Sequence, residues 1–239
     1  MQTIQQFLYK NCWLLMVMTG LSACTLAGLD VQEDWDFTPH VADPHTNKTV
    51  WAFMQDRNQP GQDSVFNLML QGIAYAGLDS TMYTQTGKTF ILLHRDAILR
   101  LDNRNRVTTD CYFGRYVVPD RDSSGNPIPG KTRAAQSWTE YPKEQVKNFL
   151  LYLVVEGERS FGSIGVENDT VKTLLPPGTD TLNPQGIMTL KVTNDRDSKL
   201  KINDFLNTVR STTVRTAGLL NTNGPAHVVD RVVEFGVKP

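Results

Sequence analysis

The segment Thr222–Phe235, TNGPAHVVDRVVEF, decides how the rest of this chain is read. Its His227 and Asp230 stand three positions apart, which is metal or catalytic spacing on a helix. Asn223-Gly224-Pro225, however, is turn chemistry, and Val228, Val229, Val232 and Val233 offer a strand apolar surface to bury. In a strand successive side chains alternate between faces. His227, Val229 and Arg231 then point one way and Ala226, Val228 and Asp230 the other, so His227 and Asp230 cannot form a dyad. The segment reads as the closing strand of a domain, its histidine satisfied by a backbone carbonyl.

Upstream, TVKTLL (170–175), IMTLKVTN (187–194) and KLKIND (199–204) also look like strands, with NDRDS (194–198) turning between the last two. Further back the period becomes helical. Val50, Phe53 and Met54 follow a Thr49 cap. Val65, Phe66, Met69, Leu70, Ile73 and Ala74 form a stripe that Asp63 or Ser64 can cap and Gly77 can end. KTFILLH (88–94) suits a buried strand, and Ala97, Ile98 and Leu101 return to helical spacing. After Pro142, Val146, Phe149, Leu150, Leu153 and Val154 line one face. Helices first and antiparallel strands later make the class α+β.

These residues carry a resemblance. The paired helices, the Thr89–Leu93 strand running into Asp96-Ala97-Ile98, the Leu150-Leu151-Tyr152 helix and the terminal TNGPAHVVDRVV together resemble a fasciclin-like domain over Lys48–Val237. The terminal motif is the most specific part: Thr222, Asn223, Gly224, His227, Val228, Asp230 and Val232 fit it. Two positions depart. Leu93 and Arg95 stand where the first motif has Pro and Asn, and Tyr152-Leu153 where the helix motif has Tyr-His. The resemblance implies N-terminal helices packed on an antiparallel β-sandwich or wedge, and extracellular adhesion through protein or matrix contacts. It supports the fold more than the family's binding residues.

It also isolates an insertion at about 102–141, longer than loops of compact domains usually are. Four aromatics lie there, Tyr112, Tyr116, Trp138 and Tyr141. Their flat faces could stack on a sugar or anchor a protein partner, or they could glue the insertion to the domain. Trp51, Phe53, Tyr75 and Phe149, at helical spacing, read as core.

Within the insertion Gly125–Thr132, GNPIPGKT, matches the phosphate-loop pattern. Such a loop works through successive backbone N–H groups, which Pro127 and Pro129 lack, and it needs a strand before it and a helix after. Nucleotide binding is therefore not expected. Asp120, Asp122 and Ser124 alternate like the start of a calcium loop, but Lys131 occupies the position of the bidentate Glu. They are a weak calcium candidate, and a solvated β-turn is the simpler reading. No cofactor is implied.

The N-terminus reads separately. Lys10 precedes an apolar run from Cys12 to Leu21, too short to span a bilayer but suited to a signal peptide. It ends in Leu21-Ser22-Ala23-Cys24, which resembles a bacterial lipobox. That resemblance implies cleavage after residue 23 and lipidation of Cys24, with acyl chains supplying membrane affinity. Residues 24–47, bearing Asp30, Glu33, Asp34 and Asp36, read as an acidic tether, and 48–239 as the domain. The expected location is the cell envelope, as an outer-membrane lipoprotein displayed at the surface. Only Cys111 then remains as a thiol, so no intramolecular disulfide forms, and it reads as a small buried apolar residue.

The chain has 239 residues, 40% hydrophobic, with a net charge of −1, giving no electrostatic footprint for nucleic acid. Of the four histidines, His40 and His45 lie in the tether, leaving His94 and His227 for chemistry. The functional reading is a non-catalytic binding or adhesion module, an accessory to a surface protein or nutrient importer with a protein or glycan partner. The alternative is an envelope hydrolase or glycan-active enzyme using His227 or His94.

Overall fold

A computed structural model describes residues 43–204 and 211–234. The expected signal peptide, Cys24 and the tether up to Ala42 lie outside the described residues. Helix α1 (Val50–Asp56) starts where the Thr49 hydroxyl accepts the Ala52 N–H. Helix α2 (Asn67–Ala76) ends at Gly77 in the left-handed conformation, with terminal N–H groups returned to Ala74 and Ile73 carbonyls. Its start falls past Asp63 and Ser64, and Phe66 opens it without a side-chain cap. The buried stripe is Met69, Gly72, Ile73 and Ala76, whereas Ala74 is exposed.

Strand β1 (Lys88–Leu93) runs into a single turn, α3 (Arg95–Ile98). Leu101, expected on that helix, is exposed beyond it. The insertion folds as α4 (Tyr112–Arg115), the hairpin β2 (Val118–Arg121) and β3 (Pro127–Arg133), and a 3-10 turn at Trp138–Glu140. Helix α5 (Lys143–Tyr152) follows Pro142 and gives way to β4 (Val154–Glu156), so Val154 is a strand residue rather than a helical one. The chain then forms β5 (Asp169–Lys172), β6 (Ile187–Val192), β7 (Leu200–Ile202), β8 (Thr212–Thr213), β9 (Thr216–Asn221) and β10 (Gly224–Val229). The class is α+β.

Two four-stranded sheets result, in the orders β4-β1-β10-β9 and β5-β6-β7-β8. The second is antiparallel throughout. The first is mixed, because β10 pairs parallel to β1 from Phe90↔Ala226 to Leu93↔Val229. An all-antiparallel arrangement is thereby corrected. The closing strand enters the middle of the sheet, and all six of its residues are buried. Strands covered on both faces carry near-continuous apolar runs, which is what FILL and AHVV supply. The sheets are joined where the Leu174 N–H donates to the Val154 carbonyl at 2.9 Å.

The turn before β10 is Thr222-Asn223, one residue earlier than Asn223-Gly224-Pro225. Asn223 is 3% exposed and ties three elements together. Its Oδ1 accepts the Val50 N–H at 2.8 Å, capping α1 from across the domain. Its Nδ2 donates to the carbonyls of Tyr83 and Gln85 at 3.0 and 3.1 Å. Gly224 has φ 141°, and a Cβ there would sit 2.2 Å from the Lys88 carbonyl oxygen. Only glycine lets the closing strand approach β1 this closely. The folded unit begins before residue 48: the Thr46 N–H donates to the Leu220 carbonyl (3.0 Å) and the Leu220 N–H to that of Pro44 (2.8 Å), covering part of the β9 edge.

Candidate functional site

The insertion aromatics do not present faces to a ligand. Tyr112, Trp138 and Tyr141 are 1%, 3% and 5% exposed, and Tyr116 is half-buried against the core. Tyr112 packs within 4.4–5.2 Å, centroid to centroid, of Tyr116, Trp138, Tyr141 and Phe149. The Trp138 indole donates to the Leu68 carbonyl at 2.7 Å, and a Cβ on Gly72 would lie 2.9 Å from its ring. The Tyr75 hydroxyl donates to Tyr141 O and the Tyr141 hydroxyl to Tyr116 O, both at 2.7 Å. Arg115 forks onto the buried Glu234 at 2.6 Å. The reading as binding residues is corrected: apolar area and matched polar tips make these rings the glue between insertion and domain. Cys111 is buried beside them, its Sγ 3.2 Å from the Thr108 carbonyl.

The hairpin β2–β3 protrudes from that base. Pro127–Arg133 is an exposed strand, so the GNPIPGKT stretch has no helix after it to receive phosphate. Asp122 Oδ1 accepts the N–H groups of Ser124 and Asn126, both at 2.9 Å, and those backbone bonds, that of Asn126 foremost, hold its carboxyl below the usual range. Asp120 lies 3.8 Å from Arg133. Asp120 stands on β2 while Asp122 and Ser124 lie in the β-turn closed by the Gly125 N–H on the Asp122 carbonyl, and no group of three or more metal-ligating acids, His or Cys gathers among the described residues. The calcium candidate is corrected accordingly.

Both histidines are engaged by the backbone. His227, fully buried, accepts the Gly218 N–H at Nδ1 (3.1 Å) and faces the Arg159 carbonyl with Nε2 (2.8 Å). Burial pushes its pKa down to about 4, against the raising effect of the Arg159 carbonyl. Asp230 instead pairs with Arg100 at 3.1 Å. The two side chains are not brought together. His94 caps α3, its Nδ1 accepting the Asp96 N–H at 3.1 Å. Burial lowers its pKa, opposed by the Asp96 carboxylate and reinforced by Arg215.

His94 also borders a cavity of about 230 Å³. Val65, Phe66, Leu219 and Val228 give it apolar walls, and Arg57, Asp63 and Arg215 its charges. Phe53 and Arg57 are shared with a neighbouring, wider cavity of about 540 Å³, bordered by Lys48, Gln59 and Gln62. Lys48 pairs with Asp56, and Arg57 forks onto Asp63. The two cavities adjoin along α1, and mixed polar and apolar side chains line both.

No family model matches this chain, and no curated protein matches it. Among solved structures, a FAS1 domain pair from the insect cell adhesion molecule fasciclin I is similar, with TM-score 0.40 and 11% identity over 78% of this chain. The match covers 46% of that chain, so this protein spans about half its length.

The cleft escapes sequence reading because its lining comes from three distant segments, Phe53 and Arg57 from α1 and its end, His94 and Arg215 from elsewhere, and each residue is ordinary where it stands. Phe53, like Trp51 and Tyr75, is only half-buried against the core its spacing predicts, its ring tilted against Phe66 at 5.8 Å centroid to centroid. No helix among the described residues is long and apolar enough to cross a membrane.

Proposed function

We propose that this chain is a non-catalytic binding module of the cell envelope, fasciclin-like in its terminal motif and anchored by lipid on Cys24. The observation that carries the binding reading is the pair of adjoining cavities beside α1, both bordered by the half-buried Phe53 and by Arg57. Concave sites with apolar walls and a few placed polar groups are the default places for ligands. The histidines favour binding over hydrolysis, because His227 has both ring nitrogens occupied and His94 serves as a helix cap. The partner is a surface protein, a glycan or an importer to which this chain is accessory.

Immobilised domain should capture a defined component from detergent-solubilised envelope, and Gln62→Trp, which fills the wider lobe from an exposed position, should abolish capture. Equal capture by both would move the site elsewhere. Cys24→Ser should release the chain from membranes into the soluble fraction; tight membrane association in that variant would remove the lipid anchor from the proposal. Ester or glycoside hydrolysis by the wild type that collapses in His94→Gln would replace the binding reading with the hydrolase one.

A further inference from the structure

We propose that the smaller lobe, beside His94, binds a carboxylate carried on a compact apolar group. This rests on the binding-module reading and narrows it to one site and one ligand chemistry. The walls supply the apolar half through Val65, Phe66, Leu219 and Val228. The charged half comes from Arg215. Its backbone is fixed by a 2.8 Å bond from its N–H to the Val228 carbonyl, while its side chain is 49% exposed at the cavity. Among the described residues its guanidinium makes no hydrogen bond. Asp96 and Asp230 stand 3.8 and 4.0 Å from its Nη1, near enough to steady the group and too far to satisfy its donors. Asp230 is itself held by Arg100 at 3.1 Å.

A guanidinium offers five N–H donors in a planar fork that matches a carboxylate. Arg57, the cavity's other cation, is already forked onto Asp63. Among the described residues Arg215, paired with Asp96 and Asp230 only at 3.8 and 4.0 Å, is thus the cavity cation with hydrogen-bond donors to spare. His94 contributes a ring whose Nδ1 is occupied by the Asp96 N–H, so the neutral ring carries its proton on Nε2. The cavity volume is about 230 Å³. That suits a short aliphatic acid or one residue, not an oligosaccharide. Two sources present this chemistry, a free short-chain carboxylate and the C-terminal residue of a peptide.

The test titrates methyl-labelled domain with hexanoate, hexanol, and an acetylated tripeptide ending in leucine, as free acid and as amide. At least one acid should shift the methyls of Val65, Leu219 and Val228, leaving the exposed Val166 unmoved. It should bind about tenfold or more tighter than its uncharged counterpart, as expected of a charge-assisted hydrogen bond. Arg215→Met should abolish that preference without changing hexanol binding. Preference for hexanoate or for the peptide acid identifies the source. Equal binding of acid and uncharged counterpart, a preference that survives Arg215→Met, or no shift at these methyls at millimolar ligand overturns the proposal. The wild-type comparison decides the matter even if the variant misfolds. Envelope capture, measured separately, can succeed while every one of these shifts is absent, so the two readings fail independently.

Discussion

His227 shows how a residue that looks chemical becomes structural. With Nδ1 accepting from Gly218 and Nε2 donating to Arg159, a second proton would have to sit on Nδ1 against an N–H. Its folded pKa is about 4, whereas an unfolded histidine titrates near 6.5. Above about pH 6.5 neither state takes the proton, and the contribution is level. Between about 6.5 and 4 the unfolded chain binds a proton that the folded chain refuses, so stability falls as pH falls. The total loss is about 3 kcal/mol. Denaturant titrations at pH 7.5, 5.5 and 4.5 should show His227→Gln less stable at neutral pH but with a shallower acid decline. Parallel declines in the two proteins would show that another group governs the acid limb. Asn223 supports a second residue-scale expectation. Asn223→Ala leaves the Val50 N–H and the Tyr83 and Gln85 carbonyls without their partner. Each buried orphan costs about 1–3 kcal/mol, so this variant should lose cooperative melting or several kcal/mol. Retention of wild-type stability would mean that water replaces the amide.

At the scale of elements, the insertion and α2 form one unit through Gly72 and Trp138. A glycine within a helix costs about 0.5–1 kcal/mol relative to alanine, and here it admits the indole that a Cβ would strike at 2.9 Å. Gly72→Ala should therefore destabilise the wild type, yet be neutral or stabilising in a Trp138→Leu background. A coupling energy near zero in that double-mutant cycle would show that the indole yields easily. Trp138→Ala alone should cost about 3–5 kcal/mol. Removing the insertion would take Tyr112, Phe113 and Trp138 out of the core, so deletion of 103–140 should prevent folding. Replacing only the exposed hairpin tip, residues 121–126, with a two-residue turn should leave the melt cooperative. The interior glycine was the one sequence signal for this docking. Loop aromatics have no period, so their burial is legible only from the small residue they pack against.

For the whole molecule, periodicity told most about elements whose burial is local. Helices α2 and α5 and strands β1 and β10 follow from spacing, and the α+β class follows with them. The parallel seating of β10 beside β1 does not, because that pairing joins residues more than a hundred positions apart. The cleft was illegible for the same reason, assembled from α1, the segment at His94 and Arg215 with the start of β9. The lower boundary of the domain was blurred by its polar composition. Pro44 and Thr46 nonetheless bond to Leu220 and cover part of the β9 edge, which would otherwise present unpaired backbone groups. Two such bonds contribute about 1–3 kcal/mol together. In a domain of this size, 1 kcal/mol moves the melting temperature by about 2–4 °C. A chain begun at Asp43 should therefore melt several degrees above one begun at Asn47, and the shorter chain should aggregate sooner through its open edge. Identical melting and solubility would show that residues 44–46 only rest on β9, and would return the boundary to Lys48.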